Sequence, residues 1–163
     1  MKSYDLNELC QLTKHLLEAK LTIAVAESCT SGLLQNAFSL AEDSMSFYQG
    51  GMTVYNAAQK AMHLSINPII AEECNSVSKE IAEKMCLKIA EKFNTEVGVS
   101  ITGYATPIPK ENITSSYAYI AGSINGKIVL SKRIKGDPKN DLYNNQILYV
   151  NKIIRELNLS LST

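Results

Sequence analysis

The sequence predicts an α/β fold: a three-layer α/β/α sandwich built on a mixed sheet. Three observations carry this. Helix-like and strand-like segments interleave in the order α β α β α α β β β α. The run Thr22-Ile23-Ala24-Val25-Ala26 is apolar on both faces, as a central strand covered on both sides must be. Asn125-Gly126 separates two alternating runs, which is the strongest short signal of an antiparallel hairpin. Interleaved helices with a C-terminal hairpin require one sheet of mixed direction with helices on both faces.

The elements follow in order. Asp5 can cap a first helix over about residues 5–20, where Leu6, Leu9, Cys10, Leu12, Leu16 and Leu17 form one apolar stripe. Residues 22–26 make the first strand. A second helix is expected to start at Thr30 or Ser31 and to carry Leu33, Leu34, Ala37 and Phe38. Residues 43–48 read as a short turn or helix that Gly50-Gly51 breaks, leaving 52–55 as the second strand. Residues 57–64 are helix-prone. Pro68 suits the first turn of a short helix, 68–73. Ser78 caps a long helix, 79–93, whose stripe is Ile81, Met85, Ile89 and Phe93. The third strand, 96–102, stops at Gly103, and a loop with Pro107 and Pro109 follows. Residues 115–124 and 127–135 are the hairpin strands. Gly136-Asp137-Pro138 opens the last helix, which reaches about Leu157, with a frayed tail from Asn158.

The chain of 163 residues predicts one domain, 1–163, large enough to bury roughly 70% of its unfolded surface. Sixteen basic residues balance sixteen acidic ones, which argues against nucleic acid or a membrane surface as partner. Cys10, Cys29, Cys74 and Cys86 form no CxxC pair, and only His15 and His63 could join them. Neither a metal site nor a cofactor is expected. No apolar stretch of about 18 residues and no signal-type start is visible, so a cytoplasmic protein with reduced thiols is expected.

Three loops follow strands, at residues 27–31, 55–60 and 102–114. Ligands of α/β sheets collect outside the carboxyl ends of strands. If the three strands are parallel neighbours, one crevice holds Glu27, Ser28, Thr30, Ser31, Tyr55, Lys60, Thr102 and the backbone around Gly103. That set has no histidine and no carboxylate pair. It suits a serine nucleophile whose base is a desolvated lysine, with tyrosine assisting and helix N–H groups receiving an oxyanion. Acyl transfer on an amide or ester would follow. The plainer alternative is that Ser28 and Thr30 cap a helix and Lys60 is a solvated end. Glu27 reads either as a hydrogen-bond anchor or as a general base.

Several segments together resemble one family. Ala26-Glu27-Ser28-Cys29-Thr30-Ser31-Gly32-Leu33 is similar to the AESCTGGL stretch of the CinA C-terminal domain family. FYQGGMTVYNAAQK, ending at Lys60, resembles that family's glycine-pair and lysine segment. Leu64 to Ile66, Val77-Ser78, Val99 to Gly103 with Pro107, and Gly136-Asp137 fall in the family's order. The resemblance implies one α/β/α domain, usually a homodimer. It implies hydrolysis of nicotinamide mononucleotide to nicotinic acid mononucleotide and ammonia, so the expected partner is a pyridine mononucleotide-like small molecule. By motif, Ser28 would be the nucleophile, Lys60 the base and Tyr55 an assistant, with Glu27, Thr30, Ser31, Ser44, Thr102 and Gly103 lining the substrate. The sequence departs from the family in the loop Ala105-Thr106-Pro107-Ile108-Pro109-Lys110, which lacks glycines. It departs again in the last helix, where Tyr143, Asn144 and Asn145 stand near the family's arginines. Lys110, Lys135 and Lys139 are the cations available in their place. These departures suit an alternative in which the chain binds a nucleotide-like ligand or a protein and hydrolyses little.

Overall fold

The computed structural model of the protein describes residues 3–162. Its elements are α1 (Leu6–Glu18), β1 (Ile23–Glu27), α2 (Leu33–Ser39), α3 (Ser44–Phe47), β2 (Tyr48–Thr53), α4 (Ala57–Leu64) and α5 (Pro68–Glu73). They continue with α6 (Lys79–Phe93), β3 (Val97–Tyr104), β4 (Tyr117–Ile124), β5 (Lys127–Lys135) and α7 (Leu142–Leu161). A single 3-10 turn, Pro109–Glu111, lies in the loop before β4.

The sheet is mixed, in the order β2-β1-β3-β4-β5. β1 runs parallel to β2 and to β3, while β3, β4 and β5 are successively antiparallel. Period-two alternation sends Ile23 and Val25 of β1 into a core shared with α1, α2 and α7, and Ala24 and Ala26 into a second core under α4, α5 and α6. These are the two helical layers. The α6 side is tight because β3 carries Gly98 there. A methyl on Gly98 would stand 1.9 Å from the Cys86 carbonyl oxygen.

Most caps are local and readable. Asp5 accepts from the Glu8 N–H, Ser78 accepts from the Ile81 N–H, and Pro68 opens α5. Several boundaries differ from expectation, among them β3, which does not stop at Gly103 but continues to Tyr104. Gly50 and Gly51 do not break the chain but lie inside β2, which starts at Tyr48. The register skips there, from Ile23↔Tyr48 to Ala24↔Gly50, and Gly50 takes φ +122°, so the glycine permits a bulge. α2 begins at Leu33, beyond the expected start at Thr30 or Ser31. α7 begins at Leu142, capped by Asp141, and continues through Asn158 to Leu161. Asn158 is buried because its amide donates to Glu8 and Gln11 of α1, at 3.0 and 3.1 Å. Cys10 is exposed and not part of the α1 core stripe. No helix among the described residues is long and apolar enough to cross a membrane.

β1 sits between two parallel neighbours that the chain reaches by crossing in opposite directions. This is the arrangement that leaves a crevice at a strand's carboxyl end. The residue at that end is Ser28.

Candidate active site at the end of the first strand

Glu27, the last residue of β1, is fully buried. One carboxylate oxygen accepts from the Thr30 hydroxyl at 2.6 Å and the Leu34 N–H at 3.1 Å. The other accepts from the Gln35 N–H at 3.0 Å and the Gln35 side-chain amide at 2.9 Å. Glu27 therefore caps α2 from the preceding strand. Gly32 at the helix's own cap position offers no side chain, and Ser31 and Gly32 take left-handed backbone, φ +51° and +98°. Ser28 and Thr30 do not cap α2 directly, and the N–H groups of Leu34 and Gln35 are not left for an oxyanion. The anchor reading of Glu27 is the one this geometry supports.

Ser28 follows on the opposite face of the strand, toward α4. Its N–H donates to the Ile101 carbonyl at 3.1 Å, continuing the β1–β3 pairing. On the other side the Val54 N–H donates to the Glu27 carbonyl at 2.8 Å, so the chain after β2 also runs against the site. Asn56 caps α4 through the Gln59 N–H, which fixes the start of the helix and the phase of Lys60. The Lys60 amine donates to Ser28 Oγ at 3.2 Å and to the Val54 carbonyl at 3.0 Å. Ser28 Oγ in turn faces the Tyr55 carbonyl at 3.3 Å.

Lys60 is 1% exposed, and among the described residues it has no carboxylate partner. Burial brings its pKa down from 10.5 to about 8, against a smaller opposing influence from the Cys29 and Cys74 thiols. The Cys29 thiol is itself buried and pushed up to about 12, chiefly by desolvation. A lysine titrating near 8 is partly neutral in ordinary buffer and can accept a proton from the hydroxyl beside it.

The other expected site residues divide. Tyr55 contributes its carbonyl, while its ring is 65% exposed. Thr30 and Thr102 are fully buried, and their hydroxyls are committed to Glu27 and to the Ser76 carbonyl (2.7 Å). They support the site from behind and have no hydroxyl free to line it. Ser31 is exposed beside the Ser28 turn. Ser44 opens the four-residue α3, which leads into the start of β2 level with Ile23, at the end of β1 opposite Ser28. Gly103 lies in β3 opposite Ala118, where a methyl would meet the Ala118 Cα at 2.4 Å.

Two supports on α7 were not legible in advance. Gln146 donates to the Cys29 carbonyl at 2.7 Å and holds the turn that carries Ser28. Asn145, 1% exposed, donates to the Ala105 carbonyl at 2.9 Å and accepts from the Asp137 N–H at 2.8 Å. Their signal is two adjacent amides in the apolar phase of a helix. Among the described residues no group of three or more His, Cys, Asp or Glu side chains converges as a metal site would require.

The family model of the CinA C-terminal domain matches residues 7–157. The chain belongs to the CinA C-terminal domain family. A CinA-like protein of Koribacter versatilis is 35% identical over 118 residues, covering 71% of this chain and 28% of that protein. A protein of Alkaliphilus oremlandii described as competence-damage inducible is 31% identical over 153 residues, covering 92% of this chain and 37% of that protein. The chain thus spans about a third of the length of such relatives. A solved CinA superfamily protein of Escherichia coli is 27% identical with TM-score 0.87, covering 99% of this chain and 94% of that one. A superfamily structure from Klebsiella pneumoniae, 20% identical, covers 98% of this chain and 99% of that one with TM-score 0.91 and shares the fold.

Proposed function

We propose that this CinA-family domain is an amidohydrolase acting on nicotinamide mononucleotide, with Ser28 as nucleophile and Lys60 as base. The observation that carries the reading is the buried Lys60 amine, without a carboxylate partner among the described residues, 3.2 Å from Ser28 Oγ. A lysine that only closed a salt bridge or reached solvent would need neither feature. The pyridine mononucleotide as substrate is supported by the family resemblance.

In this reading neutral Lys60 takes the Ser28 proton as Oγ bonds to the carboxamide carbon. The C–N bond then breaks, the proton passes from Lys60 to the departing nitrogen, and ammonia leaves an ester on Ser28. Lys60, neutral again, takes a proton from water as the water oxygen bonds to the ester carbon. The Oγ–C bond breaks, the proton returns to Ser28, and nicotinic acid mononucleotide departs. Glu27 uses the N–H groups of Leu34 and Gln35, and the Ser28 and Ser31 N–H groups donate to the Ile101 and Ser28 carbonyls, so in this reading none of these four receives the developing oxyanion.

The experiment is incubation of the purified chain with nicotinamide mononucleotide and measurement of ammonia. Release that saturates with substrate supports the reading, and no release by folded protein at high concentration overturns it. The second reading, a binding module with little turnover, is favoured by the loop 105–116. There Ile108 and Ile113 bridge to each other and Asn145 is committed to the Ala105 carbonyl. Its signature is saturable mononucleotide binding without ammonia.

A further inference from the structure

The turn after β1 carries Ser28 but does not hold itself. Sheet pairing ends with the Ser28 N–H on the Ile101 carbonyl. Beyond it Ser31 and Gly32 take left-handed backbone, φ +51° and +98°, which is unfavourable for a residue with a Cβ such as Ser31. Two bonds within the segment restrain it. The Ser31 N–H donates to the Ser28 carbonyl at 3.1 Å, and the Thr30 hydroxyl donates to Glu27 at 2.6 Å. Neither reaches the Cys29 carbonyl. Its donor comes from 117 residues away, where the Gln146 side-chain amide stands at 2.7 Å. The helix that brings Gln146 there is fixed independently of the turn. Asp141 caps α7 by accepting from the Asn144 N–H at 2.8 Å, and Tyr149, Val150, Ile153 and Leu157 lie in the core that Ile23 and Val25 enter.

Gln146 is buried among the apolar positions of α7. Packing gives no reason for an amide there, because a buried amide is costly unless bonded and an aliphatic side chain would fill the same space. Gln146 reaches the turn from the helical layer of α1, α2 and α7, while Lys60 reaches Ser28 from the layer of α4. The segment is thus gripped from both sides. The Lys60 contact is long for a hydrogen bond, 3.2 Å between Nζ and Oγ, and a shift of about 0.5 Å would break it. Without the Gln146 donor the Cys29 carbonyl is buried and unpaired, and the Cys29–Thr30 peptide turns to find a partner. That rotation is passed to Ser28, the residue before Cys29, and carries Oγ away from the amine.

We infer that Gln146 is a positioning residue whose amide clamps the Cys29 carbonyl and so keeps Ser28 Oγ within proton-transfer reach of Lys60. Its consequence for turnover rests on the proposed function; the clamp on the turn does not.

The test compares the full chain as wild type, Gln146→Met and Ile153→Val. Methionine keeps the side-chain length and loses the donor. Ile153→Val trims the same helix in the core, two turns further on, and leaves the turn untouched. Gln146→Met should lower kcat for ammonia release from nicotinamide mononucleotide at least about tenfold, with KM unchanged. The midpoint of its pH profile should stay near 8, because Lys60 is intact. Ile153→Val should keep the wild-type kcat. Amide hydrogen exchange read by NMR gives a second readout that needs no substrate. In Gln146→Met the buried Thr30 N–H should exchange at least about tenfold faster relative to the Leu34 N–H, which Glu27 holds. Ile153→Val should change the two alike. Circular dichroism checks folding, and Gln146→Leu, read in the same way, replaces a methionine variant that does not fold. Unchanged Thr30 exchange, or a kcat loss shared by Ile153→Val, overturns the positioning role. Faster Thr30 exchange in Gln146→Met, with no ammonia from any folded protein, retains the clamp and overturns the deamidase reading. Ammonia released at equal rates by wild type and Gln146→Met does the reverse.

Discussion

Replacing Lys60 with methionine tests whether the site lysine is held desolvated. Methionine keeps most of the buried stem and removes the amine. In the folded protein Lys60 titrates near 8, against 10.5 for an ordinary lysine. That gap corresponds to roughly 3 kcal/mol of preference for the neutral form. Lys60 is 1% exposed, so solvent screening takes little from this figure. The sign follows from proton counting. Between about 8 and 10.5 the unfolded chain holds the Lys60 proton and the folded chain has released it, so stability rises with pH. Lys60 therefore contributes fully above 10.5, and the contribution is lost as pH falls through about 8. The assay is urea unfolding of wild type and Lys60→Met across this window. The stability difference, wild type minus variant, should grow by about 3 kcal/mol from low to high pH. Every other titrating group is common to both proteins and cancels. A difference that stays flat would mean the amine is solvated or paired in solution, and the argument for a neutral base would fail.

Three further outcomes are expected. Glu27→Gln sets an amide N–H₂ against donors that now meet a carboxylate, and should cost about 2–4 kcal/mol by denaturant unfolding. Gly98→Ala forces α6 away from β3, since the new methyl would stand 1.9 Å from the Cys86 carbonyl oxygen, and should cost about 3 kcal/mol by the same assay. Tyr55→Phe should leave stability within about 0.5 kcal/mol and kcat unchanged, because the ring is exposed and Ser28 meets only the backbone carbonyl.

The parts of the fold that were legible in the sequence rest on local signals. β1 is a short apolar run, the β4–β5 hairpin carries Asn125-Gly126, and α5 and α6 announce themselves with Pro68 and Ser78. The misread boundaries rest on distant partners. Gly50-Gly51 looks like a break unless β1 is known to lie alongside and absorb the bulge. The start of α2 is set by Glu27, in the strand before the helix, and the start of α7 depends on Asp141, beyond the Gly136-Asp137 turn. In the site, Ser28 and Lys60 were legible as residue types at the ends of parallel neighbours, and the sheet order brings them together. Residue type alone could not tell that the Thr30 and Thr102 hydroxyls are consumed internally, or that Tyr55 offers its carbonyl.

Ammonia release from nicotinamide mononucleotide, followed across pH for wild type, Ser28→Ala and Lys60→Met, bears most directly on the pairing of a serine nucleophile with a buried lysine base. Wild type should show a rate that rises with a midpoint near 8, the value at which Lys60 becomes neutral. Both variants, still folded, should lose about a thousandfold or more. A wild-type rate from Ser28→Ala, or no ammonia from folded wild type at any pH, would contradict the account.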